Sequence, residues 1–240
     1  MAGKRTVRAI VVCKARSAWS VVWEISVQLA ASDLGMKPQP FIAYLRRYRG
    51  EMRYRSTQRA RNIQRIEFLE QFIARQGTGA ELGVHKGHFS QVLLDRLAPQ
   101  KLYLIDPWYL QGKQWSWGDG NRRVMDALCY VLRKMEDELV SGQVVLLIEN
   151  DLEALAKMPD GHLDWVYLDT THQYEQTVKE LEVLKVKVKP GGVISGDDWQ
   201  PDPSHKYYGV CRAVREFVDR EKHAVLCVDA KTHQWIIAWK

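Results

Sequence analysis

"GAELGVHKGHFS", residues 79–90, begins as an apolar run, carries a carboxylate at Glu81, places glycines at 83 and 87, and leads into a helical pattern. A strand that turns into a helix on two glycines lets a ligand approach the backbone closely. The first turn of the helix then offers that ligand free N–H groups. The spacing Glu-x-Gly-x-x-x-Gly is not the G-x-G-x-x-G of dinucleotide binders, because position 85 is His and the interval differs. A tight strand-to-helix turn with no ligand is the plainer reading of the same letters.

Four more short apolar runs follow, separated by helical segments: "KLYLIDPW" at 101–108, "QVVLLIEND" at 143–151, "LDWVYLDTTH" at 163–172 and "GGVISGDDW" at 191–199. Such alternation predicts right-handed βαβ crossovers and a parallel sheet covered on both faces. "HAVLCVDA" and "HQWIIAWK", split by a polar segment at Lys231 and Thr232, predict a terminal antiparallel hairpin. The expected fold class is therefore α/β. Ligands of open α/β sheets bind beyond the carboxyl ends of the strands. Those ends are acidic here: Glu81, Asp106, Glu149 to Asp151, Asp169, and Asp197 with Asp198.

Residues 1–76 differ in texture and are expected to form a basic helical extension to a 77–240 domain. They hold 15 Lys/Arg against 5 Asp/Glu, whereas the remainder holds 20 against 24. "DLGMKPQP" splits two helical patterns, the first with Trp19, Val22, Trp23, Ser26 and Ala30 on one face. The second runs from about Thr57 to Gln76 and aligns Ile63, Ile66, Leu69, Phe72 and Ile73. A basic third suits phosphate, an acidic partner or anionic lipid, and equally a solvated helix face. The apolar stretch at 18–31 contains Glu24 and is too short to span a bilayer. Cys13, Cys129, Cys211 and Cys227 form no C-x-x-C pair, which argues against a disulfide framework or a thiolate zinc site. With no convincing export signal, a reducing cytoplasm is the expected compartment.

Asp106 lies about twenty residues beyond the glycine turn, at the tip of the next strand, where an acid can accept both hydroxyls of a ribose. With that turn, the region resembles the class I S-adenosylmethionine-dependent methyltransferases over essentially all of 77–240. The resemblance implies a Rossmann-like sheet and S-adenosyl-L-methionine as cofactor. It places Glu81, Gly83, His85, Gly87, Phe89 and Ser90 around the amino-acid and ribose parts. It puts Asn150 and Asp151 near the adenine, although either residue also suits a helix cap. Trp108 and Asp169 complete the expected cofactor set. Trp108 belongs to "WYLQGKQWSWGDGNRR", whose Tyr109, Trp115 and Trp117 can stack on adenine, close over an acceptor, or pack in the core.

Asp169, Asp197 and Asp198 fall at two neighbouring strand tips, and a cluster of like charges is costly unless a cation fills it. Oxygen ligands favour Mg²⁺, or Ca²⁺ or Mn²⁺, over zinc. The pattern is similar to the divalent-metal O-methyltransferases of catechols and of macrolide sugars, which place one Asp after the fourth strand and Asp-Asp or Asp-Asn after the fifth. Loop capping by Asp197 and Asp198 is the alternative. His172, three residues after Asp169, stands where the catechol-type enzymes have Lys. A neutral imidazole is suited to taking the proton of an attacking hydroxyl, with Asp169 beside it, or it only orients the next helix.

These readings converge on O-methylation of a small-molecule acceptor such as a sugar, polyketide or phenol, with the N-terminal helices covering the acceptor or forming a homo-oligomer contact. Nucleic-acid methylation is the rival that the basic third raises. Against it, the fourth strand ends "LDTTH", not Asn-Pro-Pro-aromatic. A non-catalytic binding protein of the same fold is the third reading. Retention of the glycine turn, Asp106 and the three acids argues against that one.

Overall fold

The computed structural model describes residues 58–110 and 122–239. The helical pattern at 18–31 and the tryptophans at 115 and 117 lie outside the described residues. All seven apolar runs form strands: β1 (Thr78–Leu82), β2 (Lys101–Ile105), β3 (Val144–Leu147), β4 (Leu163–Leu168), β5 (Val188–Gly196), β6 (Ala224–Asp229) and β7 (Gln234–Trp239). They make one sheet in the order β3-β2-β1-β4-β5-β7-β6. The first five are parallel, and β7 runs antiparallel between β5 and β6. This is the Rossmann-like class I methyltransferase sheet with its terminal hairpin.

The helices are α1 over residues 58–69, α2 (His88–Leu97), α3 (Arg122–Lys134), α4 (Glu136–Val140), α5 (Asp151–Lys157), α6 (Tyr174–Lys187) and α7 (Tyr208–Arg220). A strand covered on both faces reads as a near-continuous apolar run, and β4 shows how the two faces divide. Its Trp165 and Tyr167 enter one core with Ile66 and Leu69 of α1, Leu93 and Leu97 of α2, and Leu128 and Val131 of α3. The alternate residues Val166 and Leu168 enter a second core with Leu155 of α5, Leu181 and Leu184 of α6, and Val214 and Phe217 of α7. That division is the two-residue period of a pleated strand.

Helix α1 belongs to the same compact unit as the sheet, which spans Gln58–Lys240. Its buried stripe is Asn62, Arg65, Ile66 and Leu69, so one guanidinium lies among apolar neighbours. Helix α1 ends at residue 69 and not near 76. The Ile73 N–H still bonds the Leu69 carbonyl at 2.9 Å and brings Ile73 into the core. Gln76, at φ 69°, gives its N–H to Leu97 at 3.0 Å.

The chain proceeds outward from β1 through β2 to β3, then returns to β4 on the other side of β1. That reversal opens a crevice at the carboxyl ends of β1 and β4. Gly83 follows β1 at φ +86°, and a Cβ built there would lie 2.0 Å from the Asp169 carbonyl oxygen. The two tips are thus in backbone contact. Gly83→Ala combines a left-handed backbone with a clash and is expected to cost roughly 2–5 kcal/mol. A melting temperature equal to the parent's would show that the tips can separate.

Candidate active site

The glycine turn is held from beneath by two carboxyl groups. Glu81, one residue before the end of β1, is 2% exposed and accepts a hydrogen bond from the Ser90 hydroxyl of α2. Burial, partly offset by that bond and reinforced by the charges of Asp169 and Asp106, pushes the Glu81 carboxyl up to about 8. Asp106, just beyond β2, accepts the N–H groups of Val84 at 3.0 Å, His85 at 2.8 Å and Trp108 at 2.7 Å. Burial still raises it above the ordinary carboxylate range against those three bonds. Asp106 therefore fixes the shape of the turn through which a ligand would be read.

Trp108 is almost fully buried, and its indole N–H bonds the His85 carbonyl at 2.8 Å. It braces the turn from the core. His85, at φ 50°, is exposed on the turn. Gly87 is the N-cap of the ten-residue α2 at φ 63°, with no side-chain cap on the helix. Phe89 is buried against Tyr167, ring centroids 4.6 Å apart.

At the β4 and β5 tips, Asp169, His172 and Asp198 offer donor atoms that all lie within 4.8 Å of one another. His172 Nδ1 and Asp198 Oδ2 are 3.0 Å apart. His172 and Asp198 both hold left-handed backbones, φ 59° and 61°, which side chains other than glycine adopt at a cost. Burial works to lower His172, but the bond to Asp198 and the charges of Asp169 and Asp198 outweigh it and raise the imidazole. The same bond outweighs burial at Asp198 and lowers it. Burial raises Asp169, although Arg65 and His172 pull the other way. The His172 ring also packs against Tyr207, centroids 4.7 Å apart, so its plane is set on two sides.

Asp197 has other partners. Its carboxylate pairs with Arg65 and with Arg61, the latter at 3.0 and 3.3 Å, and accepts Gln234 Nε2 at 2.6 Å. Trp235 Nε1 bonds its carbonyl at 2.9 Å. The Arg65 and Asp197 side chains are 5% and 3% exposed, so the pair is buried. Loss of one partner from such a pair leaves an uncompensated charge and typically costs about 3–5 kcal/mol.

At the β3 tip both adenine candidates act as caps. Asn150 is the N-cap of α5 and accepts Leu152 N–H at 3.2 Å. Asp151 is buried, accepts the same N–H at 2.9 Å, and meets Gln176 Nε2 of α6 at 3.2 Å. Gln176 also reaches Glu180 at 3.1 Å, and Thr170 donates to Glu180 at 2.9 Å. Burial and the neighbouring Asp151 raise Glu180 well above its ordinary value.

Arg61, Arg65, Gln234, Glu180 and Tyr207 did not stand out in the sequence. Arg65 left a signal: it falls three residues after Asn62 and four before Leu69, on the buried stripe of an amphipathic helix. A charge in that register is paired or functional. Gln234 opens a β-strand and gives no such mark.

Comparison with known proteins accords with this geometry. Residues 80–199 match a family described as a methyltransferase domain, which takes in the glycine turn, the tips of β2 and β4, and Asp197 with Asp198. The chain belongs to that family, its class is the S-adenosylmethionine-dependent methyltransferases, and it is a methyltransferase enzyme. A comparison with curated protein sequences finds no match. Among solved structures, it is similar to a SAM-dependent methyltransferase from Aquifex aeolicus at 18% identity and TM-score 0.50, covering 72% of this chain and 87% of that one. It is similar also to a protein titled a putative rRNA-methylase from Clostridium thermocellum, at 15% identity and TM-score 0.50, covering 72% and 91%. At those identities the likeness is one of fold. Among the described residues no helix is long and apolar enough to cross a membrane.

The raised Glu81 carboxyl gives a stability signature with a definite sign. Below about pH 4.5 the group is protonated in both folded and unfolded chains. As pH rises toward 8 the unfolded chain ionises and the folded one resists, so native stability is lost across that window. Glu81→Gln is expected to match the parent's melting temperature at pH 4 and to exceed it increasingly up to pH 8. A constant difference would mean that Glu81 ionises normally in the fold.

Proposed function

We propose that the protein transfers the methyl group of S-adenosylmethionine to a hydroxyl of a small-molecule acceptor, with His172 as general base and a divalent cation beside it. The observation that carries this reading is the His172–Asp198 contact at 3.0 Å. Asp198 accepts from Nδ1 and so leaves Nε2 as the basic nitrogen, the arrangement that a carboxylate imposes on a catalytic imidazole. Tyr207 against the ring limits its rotation, and Asp169 next to it favours the imidazolium once a proton has been taken. Two residues held in a costly backbone conformation at one contact also support a functional reading.

The donor chemistry fits both groups. The start of α2 has no side-chain cap and lies beside the glycine turn, where His85, Gly87, Phe89 and Ser90 would surround the amino-acid and ribose parts, with Glu81 and Asp106 supporting them. The cofactor supplies the methyl on a sulfonium. Asp169 and Asp198 would hold Mg²⁺, which commonly uses one or two carboxylates and keeps waters, and would thereby lower the pKa of the acceptor hydroxyl. Asp197 is engaged by arginines and is left out of this set. The chain's own contribution is to orient the imidazole, receive the proton at Nε2 and hold the acceptor in line. Such positioning supplies much of the rate in a displacement of this kind.

Calorimetric titration with S-adenosylmethionine, followed by turnover on a panel of catechols, phenols and sugars, tests the reading. Binding is expected in the parent and in His172→Ala. His172→Ala is expected to lose about 10²- to 10⁴-fold in kcat, and Asp198→Asn roughly 10- to 100-fold. Absence of cofactor binding, undiminished turnover in His172→Ala, or methylation of RNA in place of every small hydroxyl would each overturn it.

A further inference from the structure

The three acids at the β4 and β5 tips do not share one environment, and the difference originates in α1. Asp198 faces His172 and Asp169. Asp197, one residue earlier, has different partners: Arg61, Arg65 and Gln234 occupy its carboxylate. Arg65 does more than pair with Asp197: its Nη1 lies 3.9 Å from Asp169 Oδ2, its guanidinium stands 5.6 Å over the Phe89 ring, and it is buried. A fixed positive charge therefore stands between Asp197 and Asp169.

We infer that Arg61 and Arg65 act as a resident cation that withholds Asp197 from the divalent-ion site, limiting it to Asp169 and Asp198 beside His172 and setting its affinity. The inference rests on the cation reading above. Two effects combine in it. Asp197 cannot coordinate while its oxygens serve two guanidiniums and an amide. The same guanidiniums oppose a divalent charge placed on Asp169 and Asp198, weakly screened because Arg65 is buried. A site of two carboxylates suits a small ion that keeps its waters, whereas three would suit a larger ion that takes more oxygens. The helix before the sheet would then set both how tightly an ion is held and which ion is preferred.

Mn²⁺ titration of the full chain, followed by electron paramagnetic resonance, reads this directly and needs no acceptor. Arg61 is the variant of choice, since its side chain is 41% exposed and its loss leaves Arg65 on Asp197. Arg61→Gln is expected to tighten Mn²⁺ about threefold or more, while Arg61→Lys, which keeps the charge, stays nearer the parent. Arg65→Met combined with Asp197→Asn replaces the buried pair by neutral groups, an exchange that folds tolerate, and is expected to bind within about threefold of the parent or more tightly. Arg61→Gln no tighter than the parent, or a double variant more than about threefold weaker, would overturn the inference, the latter by making Asp197 a ligand. If the parent takes up no Mn²⁺ at all, the cation reading itself falls and this inference with it. The calorimetric result with S-adenosylmethionine would be untouched.

Discussion

The carbonyl oxygen of Asp169 stands where any side chain at residue 83 would have to be. That one contact joins the glycine turn after β1 to the acidic tip of β4 and makes them a single seam at the point where the sheet's strand order reverses. Everything placed around the crevice depends on it. Asp106 can gather three N–H groups only because the turn comes back over β2. His172 reaches Asp198 only because β4 ends level with β5, with Leu168 opposite Gly196. The glycine turn and the His172–Asp198 pair are thus parts of one backbone arrangement.

A rim with this many carboxyl groups would repel itself apart if all were solvated anions of equal standing. The fold resolves each one differently. Glu81 is kept neutral near pH 7 by burial, and Glu180, raised by burial, takes the Thr170 hydroxyl bond. Asp106 is satisfied by backbone donors, Asp197 by guanidiniums and Asp198 by an imidazole. Asp169 has only partial compensation from Arg65 and His172, and its side chain is 30% exposed.

The sheet was legible because its strands hold short runs of consecutive apolar residues, a pattern that survives in "LYLI", "VVLL" and "WVYL". The acidic rim was legible for a related reason: a strand that ends in the crevice exchanges apolar for polar residues at a fixed place. The pairing of charges was not. Asp198 turns away from the strand at φ 61° directly after Asp197, and counting acids at a tip cannot tell which of the two meets a guanidinium and which an imidazole. The helix end expected near 76 came from Phe72 and Ile73 keeping helical spacing, which a turn at 70–72 can also satisfy. Trp108 read equally as rim or core, and its indole bond to His85 is a tertiary fact that local sequence does not carry.

The partners of Asp197 are scattered along the chain: Arg61 stands 136 residues before it, and Gln234 and Trp235 stand 37 and 38 residues after. Contacts of such separation close large loops and are made late, after local helices and neighbouring strands have formed. During synthesis the β4 and β5 tips leave the ribosome before β7 exists to hold them. The acid cluster would spend that interval without two of its fixed neighbours. The anchoring amide and indole sit on β7, the last of the described strands to be synthesised, so the surroundings of Asp197 are complete only when the sheet is.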